Sequence, residues 1–233
     1  MSSAAAKPIT IAVDGDAQVS GLLQAPPGAR AGYVLAHGAG AGMTHPFIAA
    51  VAAELAQRGI ATLRYQFPYI ERRSRRPDPP QVAQATVRAA VEAAQRALPE
   101  LPLVAGGKSF GGRMTSLAQA KAPLPGVRGL VFLGFPLHPG GKPSQDRAKH
   151  LAEVKIPMLF LQGTRDALAA LDQLEPVCAA LDRRATLKLF EGADHSFHVP
   201  ARSGRTDAQI RAEMLDALAA WIETAIKAPI PAR

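Results

Sequence analysis

The sequence predicts an α/β fold, a mostly parallel central sheet with helices on both faces. Three observations carry this. Short apolar runs of strand length alternate with longer stretches of helical periodicity along nearly the whole chain. No internal repeat or linker interrupts the 233 residues, which fit one α/β domain over 1–233, with its core at about 8–227 and short flexible termini. The stretches between strands are also long enough to make the right-handed crossovers that parallel strands require.

Residues 9–13 and 20–23 read as two short opening strands around the turn-prone Asp14-Gly15-Asp16. Residues 32–36 form a buried strand that runs into a glycine-rich loop, 37–42. An amphipathic helix follows over 46–58, closed by Gly59, and then a strand over 60–65. An Arg/Pro-rich loop leads to a long Ala-rich helix over 81–98. The next strand is 101–105, and a helix-like stretch begins at 113 and runs to 120. Strands at 127–135, 157–162 and 185–190 alternate with a loop at 136–143, a short helix at 146–154 and a helix at 171–181. The last helix spans 206–227, and its Ile210, Met214, Leu218, Trp221 and Ile222 recur at helical spacing as core residues.

Composition narrows the class of function. The single cysteine, Cys178, permits no disulfide within the chain, which fits a reducing cytoplasm, and it reads as a packing residue. Residues 1–10 lack the apolar core of a signal peptide, and no run approaches the ~20 apolar residues of a membrane span. A cytoplasmic protein is therefore expected. The formal net charge is +8, with the densest basic cluster at Arg72, Arg73, Arg75 and Arg76. That cluster has no interleaved aromatics and no nucleic-acid-binding motif, so it reads as a solvated loop and no nucleic-acid partner is expected. Were the loop to overhang the active site, it would favour anionic substrates. The sequence leaves monomer and homodimer open.

The most informative residues are Gly107-Lys108-Ser109-Phe110-Gly111. They fit Gly-x-Ser-x-Gly, the pattern in which a serine is lifted out of a sheet on a sharp strand-to-helix turn. A serine hydroxyl is a poor nucleophile at neutral pH and needs a base and a group to orient that base. Asp166 follows the strand 157–162 directly and is the candidate acid, ahead of Asp172, which reads as a helix residue. His195 follows the last strand and is the candidate base, ahead of His198. Asp194, its neighbour, points away. The oxyanion of a tetrahedral intermediate needs preorganised donors. The backbone N–H of Phe110 is one, and the loop 37–42 supplies the other from Ala39, with Gly40 as the alternative. His37 reads as a structural hydrogen-bonding residue. A phosphate-binding loop is the rival reading of 37–42, but the loop lacks the P-loop spacing.

With these stretches in view, the chain resembles small α/β-hydrolases of the dienelactone-hydrolase-like kind. More narrowly, it resembles the group containing testis-expressed protein 30 and the third subunit of the non-specific lethal complex. The stretches "HGAGAGMTHPF", "LRYQFPY", "GGKSFGGRM", "GFPLHPGGKP", "LFLQGTRD" and "ADHSF" carry the resemblance. It implies the α/β-hydrolase fold and a Ser-His-Asp triad, and says little about substrate. Some relatives of this kind serve as complex subunits.

His138 stands at a strand's carboxyl end, where it would either bind substrate or fix its loop. Arg113 either bonds the loops around the elbow or is a helix-surface charge, and it is carried with Gly40 as a substrate-binding candidate. His45 and Arg64 are candidate rim residues. The connection 136–156 has room for one short helix and no cap, so an open, shallow site is expected. The sequence thus points to a serine hydrolase acting on a small-molecule acyl substrate, with no metal or organic cofactor. An interaction module with an idle triad and an acyltransferase are the two other readings.

Overall fold

The computed structural model describes residues 5–15 and 17–227. Eight strands form one sheet: β1 (Lys7–Ala12), β2 (Gln18–Gln24), β3 (Ala31–Ala36), β4 (Ile60–Tyr65), β5 (Leu103–Lys108), β6 (Val127–Leu133), β7 (Met158–Gly163) and β8 (Ala185–Phe190). Their spatial order is β1-β2-β4-β3-β5-β6-β7-β8. Strand β2 is antiparallel to both its neighbours, and every other pairing is parallel. Six helices accompany the sheet among the described residues: α1 (Pro46–Gln57), α2 (Pro68–Glu71), α3 (Pro80–Ala97), α4 (Phe110–Lys121), α5 (Leu171–Ala180) and α6 (Asp207–Lys227).

Strands β3 to β7 are buried on both faces, and the period of two in a strand divides their side chains between two cores. Val34, Ala105, Phe132 and Phe160 enter the core covered by α3 and α4. Their neighbours Tyr33, Val104, Val131 and Leu161 enter the core covered by α1 and α6. This is why these strands read as continuous apolar runs. Helix α6 supplies Ile210, Met214, Leu218 and Ile222, each fully buried, at the spacing of one face. Cys178 is buried in α5, and burial pushes its thiol up to about 12, as suits a packing residue.

The helix starts follow local chemistry. Proline opens α1, α2 and α3, where its missing N–H costs no helical bond. The His45 side chain caps α1 by accepting from the Phe47 N–H at 3.3 Å, so His45 shapes the helix entry.

Most element boundaries differ from the sequence expectation by one to three residues, and one difference matters. Strand β5 was expected over 101–105, short of Gly106 and Gly107. Instead β5 continues through Gly106 and Gly107 to Lys108, and α4 begins at Phe110, not at 113. These glycines serve close approach, not turning. A Cβ on Gly107 (φ +145°) would stand 2.1 Å from the Ala36 carbonyl oxygen of β3, and one on Gly106 (φ +150°) would stand 1.9 Å from that of Val131. The short helix expected at 146–154 is a 3-10 segment, Asp146–Glu153.

Candidate active site

Because β3 to β8 all run parallel, their carboxyl ends and the loops after them gather at one edge of the sheet, where ligands of such folds bind. Three of those ends bring the predicted triad together. Ser109 follows β5 with φ 49° and ψ −114°, a backbone conformation that costs a non-glycine residue about 1–3 kcal/mol. The strain turns the hydroxyl out of the sheet between strand and helix. Gly111 permits the fit: a Cβ there would stand 2.5 Å from the His37 carbonyl oxygen.

The Ser109 Oγ lies 2.8 Å from His195 Nε2, and His195 Nδ1 lies 2.6 Å from Asp166 Oδ2. A carboxylate accepts, so Nδ1 carries the proton and Nε2 presents its lone pair to the serine hydroxyl. Asp166 is 4 % exposed, and three donors hold it. The Leu168 N–H donates to Oδ1 at 2.7 Å, and Gln162 Nε2 shares Oδ2 with the histidine. Gln162 itself is fixed by accepting from the Phe135 N–H at 2.9 Å.

The competing residues fall elsewhere. Asp194 Oδ1 accepts from the Ser196 and His198 N–H groups at 2.7 and 3.0 Å, which fastens the turn carrying His195. His198 is exposed and pairs with Asp207 at 2.9 Å, and that bond raises its pKa. Asp172 is an exposed residue in the first turn of α5.

The glycine-rich loop runs alongside the serine. A Cβ on Gly38 would stand 3.9 Å from Ser109 Cβ. His37 is fully buried: Nδ1 donates to the Gly38 carbonyl at 2.7 Å while Nε2 accepts from the Phe67 N–H at 3.2 Å. Burial lowers its pKa, which suits the neutral ring these bonds need. The Gly40 N–H donates to Tyr69 Oη at 2.9 Å. This corrects Gly40 as an alternative oxyanion donor, because its one N–H is already committed. Ala39 is exposed at the loop's tip. Phe110 occupies the first position of α4, where an N–H has no acceptor within the helix.

His138 is corrected as a substrate contact. It is 2 % exposed, its Nδ1 donates to the Pro139 carbonyl at 2.9 Å, and its Nε2 accepts from the Ala170 N–H at 3.0 Å. Nδ1 is spent within the loop after β6, and Nε2 joins that loop to the one after β7. Arg64, expected at the rim, is buried and donates to the Met43 carbonyl at 3.1 Å, bracing the glycine-rich loop. Arg113 is half-buried at the first turn of α4, with its Nε unpartnered.

Three contributors were missed from sequence: Gln162, Tyr69 and Lys108. Lys108 sits inside the motif, so its position was visible but its role was not. Its ammonium donates to the His195 carbonyl at 2.5 Å and lies 5.5 Å from the Phe197 ring centroid. Burial lowers its pKa to about 8, although Asp166 and Asp194 pull the other way. Among the described residues, no group of three or more His, Cys, Asp and Glu is gathered where a metal ion could be held. The connection 136–156 carries no cap, leaving Ala39 and Gly40 exposed and Ser109 and His195 partly so.

A family model described as an alpha/beta hydrolase domain matches residues 29–223, and the chain belongs to that family. Solved structures share the fold at low identity. A dienelactone hydrolase from Anabaena variabilis is 22 % identical, with a TM-score of 0.76 over 94 % of this chain and 97 % of that one. An α/β serine hydrolase without lid from Xanthomonas campestris is 18 % identical, with a TM-score of 0.70 over 98 % and 97 %. An esterase domain of a Rhodothermus marinus protein is 16 % identical, with a TM-score of 0.71 over 95 % and 99 %. No helix among the described residues is long and apolar enough to cross a membrane.

Proposed function

We propose that this chain is a serine hydrolase that cleaves carboxylic esters or related acyl bonds through an acyl-enzyme. The observation that carries the reading is the continuous relay Ser109 Oγ–His195 Nε2 and Nδ1–Asp166 Oδ2 at 2.8 and 2.6 Å. Ser109 attacks the carbonyl as its proton passes to His195 Nε2. Asp166 holds the ring's tautomer and stabilises the imidazolium. The Phe110 and Ala39 N–H groups receive the oxyanion. Collapse of the intermediate expels the alcohol, which takes the proton from His195. Water then loses a proton to His195 and attacks the acyl-enzyme, and as that intermediate collapses to the acid His195 returns the proton to Ser109 Oγ.

The absence of a cap in 136–156 supports an open site for small or extended acyl substrates. The test is hydrolysis of short p-nitrophenyl esters by the wild type and Ser109→Ala. The expected loss is roughly 10⁴-fold or more in kcat. Equal rates would remove Ser109 from the mechanism. Fluorophosphonate labelling of the wild type, absent in Ser109→Ala, is the expected companion result.

A further inference from the structure

One charged cluster beside the triad takes no part in the proposed chemistry. Arg113 stands one helical turn beyond the nucleophile, its N–H donating to the Ser109 carbonyl at 3.1 Å. Helical side chains lean toward the N-terminus, and Ser109 caps that end of α4. The 3-10 segment Asp146–Glu153 packs along α4. It is pinned there by Ser116 and His150, whose Oγ and Nε2 lie 2.7 Å apart. Arg147 precedes His150 by three residues, as Arg113 precedes Ser116 by three. Arg147 lies on the segment so pinned, close enough for its charge to be felt at Arg113.

The electrostatics of this pair are unbalanced. Among the described residues neither arginine makes an ion pair. Arg113 Nε is buried without a hydrogen-bond partner. Burial and then the charge of Arg147 lower the pKa of Arg113, while burial and then Arg113 lower that of His150 to about 4. At neutral pH the cluster holds two positive charges, a neutral imidazole and no counter-ion of its own. A half-buried guanidinium beside a second one is costly unless something negative joins them.

We propose that Arg113, assisted by Arg147, forms a subsite beside Ser109 for an anionic group, carboxylate or phosphate, carried by the acyl substrate. This rests on Ser109 being the nucleophile and names the substrate class that such a serine would meet. The planar guanidinium offers donors in a fork that fits either anion, and Arg147 adds attraction. The net charge of +8 favours the approach of such substrates.

Two measurements test the subsite separately from the chemistry. The first is binding of adipate and of methylphosphonate to Ser109→Ala protein by calorimetry, at low salt. Saturable binding of either probe that weakens tenfold or more in Ser109→Ala/Arg113→Gln is expected, and the tighter probe identifies the anion. No binding, or binding indifferent to Arg113→Gln and Arg147→Gln, overturns the subsite, whatever Ser109 does. The second is the ratio of kcat/KM for mono-p-nitrophenyl adipate to that for p-nitrophenyl hexanoate, corrected for uncatalysed hydrolysis. The expected ratio exceeds ten in the wild type and falls about tenfold in Arg113→Gln, with part regained in Arg113→Lys. An unchanged ratio in a variant that melts like the wild type overturns the proposal. Probe binding without hydrolysis of any ester would instead retain the anion site and refute the serine reading.

Discussion

Lys108→Met isolates the buried ammonium behind His195. Methionine keeps an unbranched apolar stem of similar length and removes the charge and the donor. In the folded protein the ammonium loses its proton near pH 8, whereas an ordinary lysine holds it to 10.5. Between those values the unfolded chain binds more protons than the folded one, so this group makes the protein more stable as pH rises. At about 1.4 kcal/mol per pH unit the ceiling is about 3 kcal/mol. Lys108 is partly exposed, and solvent screening trims the expectation to about 1–2 kcal/mol. The measurement is urea unfolding of wild type and Lys108→Met from pH 7 to 10.5. The stability of the wild type relative to the variant should climb by that amount, mostly above pH 8. Parallel curves would refute an ammonium held against its desolvation. The donated bond to the His195 carbonyl gives a second readout. Without it the histidine turn loses an anchor, and kcat for a neutral ester should fall by about tenfold, equal to about 1.4 kcal/mol.

Tyr69→Phe removes the acceptor for the Gly40 N–H, and a bond worth about 1 kcal/mol should cost about fivefold in kcat. Steady-state kinetics check this, with the thermal midpoint changing little. Gly107→Ala places a methyl 2.1 Å from the Ala36 carbonyl oxygen at the centre of the sheet, and no native far-UV and near-UV circular dichroism should survive. A folded, active Gly107→Ala protein would contradict the close packing of β3 on β5.

The triad was legible because each member lies directly after a strand that the apolar pattern already marked. Asp166 comes three residues past the end of β7, and His195 five past the end of β8. Their order along the chain then pointed to the roles proposed for them. The supporting residues could not be found this way. Gln162 looks like an ordinary strand residue until β7 is seen to present it to Asp166 and to the Phe135 N–H. Tyr69 lies 29 residues from Gly40, and only the connection from β4 to β5 brings α2 to the glycine-rich loop. His138 was undecided for the same reason, since one nitrogen bonds its neighbour Pro139 and the other a residue 32 positions away. Gly106 and Gly107 were misassigned because glycine carries two meanings. The strand-length apolar run before them could not tell a turn from a close approach between strands.

The arginine cluster at 72–76 shows how equal letters acquire unequal tasks. Arg72 donates to Asp78 at 2.6 Å, and the Asp78 side chain is 1 % exposed. A carboxylate so buried requires partners, and its second oxygen accepts from the Tyr69 N–H at 2.9 Å. Tyr69 in turn receives the Gly40 N–H. A line of hydrogen bonds thus runs from the basic loop, through Asp78 and the start of α2, to the loop beside Ser109. Arg72 is solvated, its side chain 62 % exposed, as composition placed it, and it is also the outer end of this line. Arg73, with φ +55°, continues the turn, while Arg75 and Arg76 stay exposed and form no ion pair among the described residues. The loop therefore bears on the glycine-rich loop's shape through one residue and on the surrounding field through the others. Removing the buried Asp78 would disturb the first of these, whereas adding salt would screen only the second.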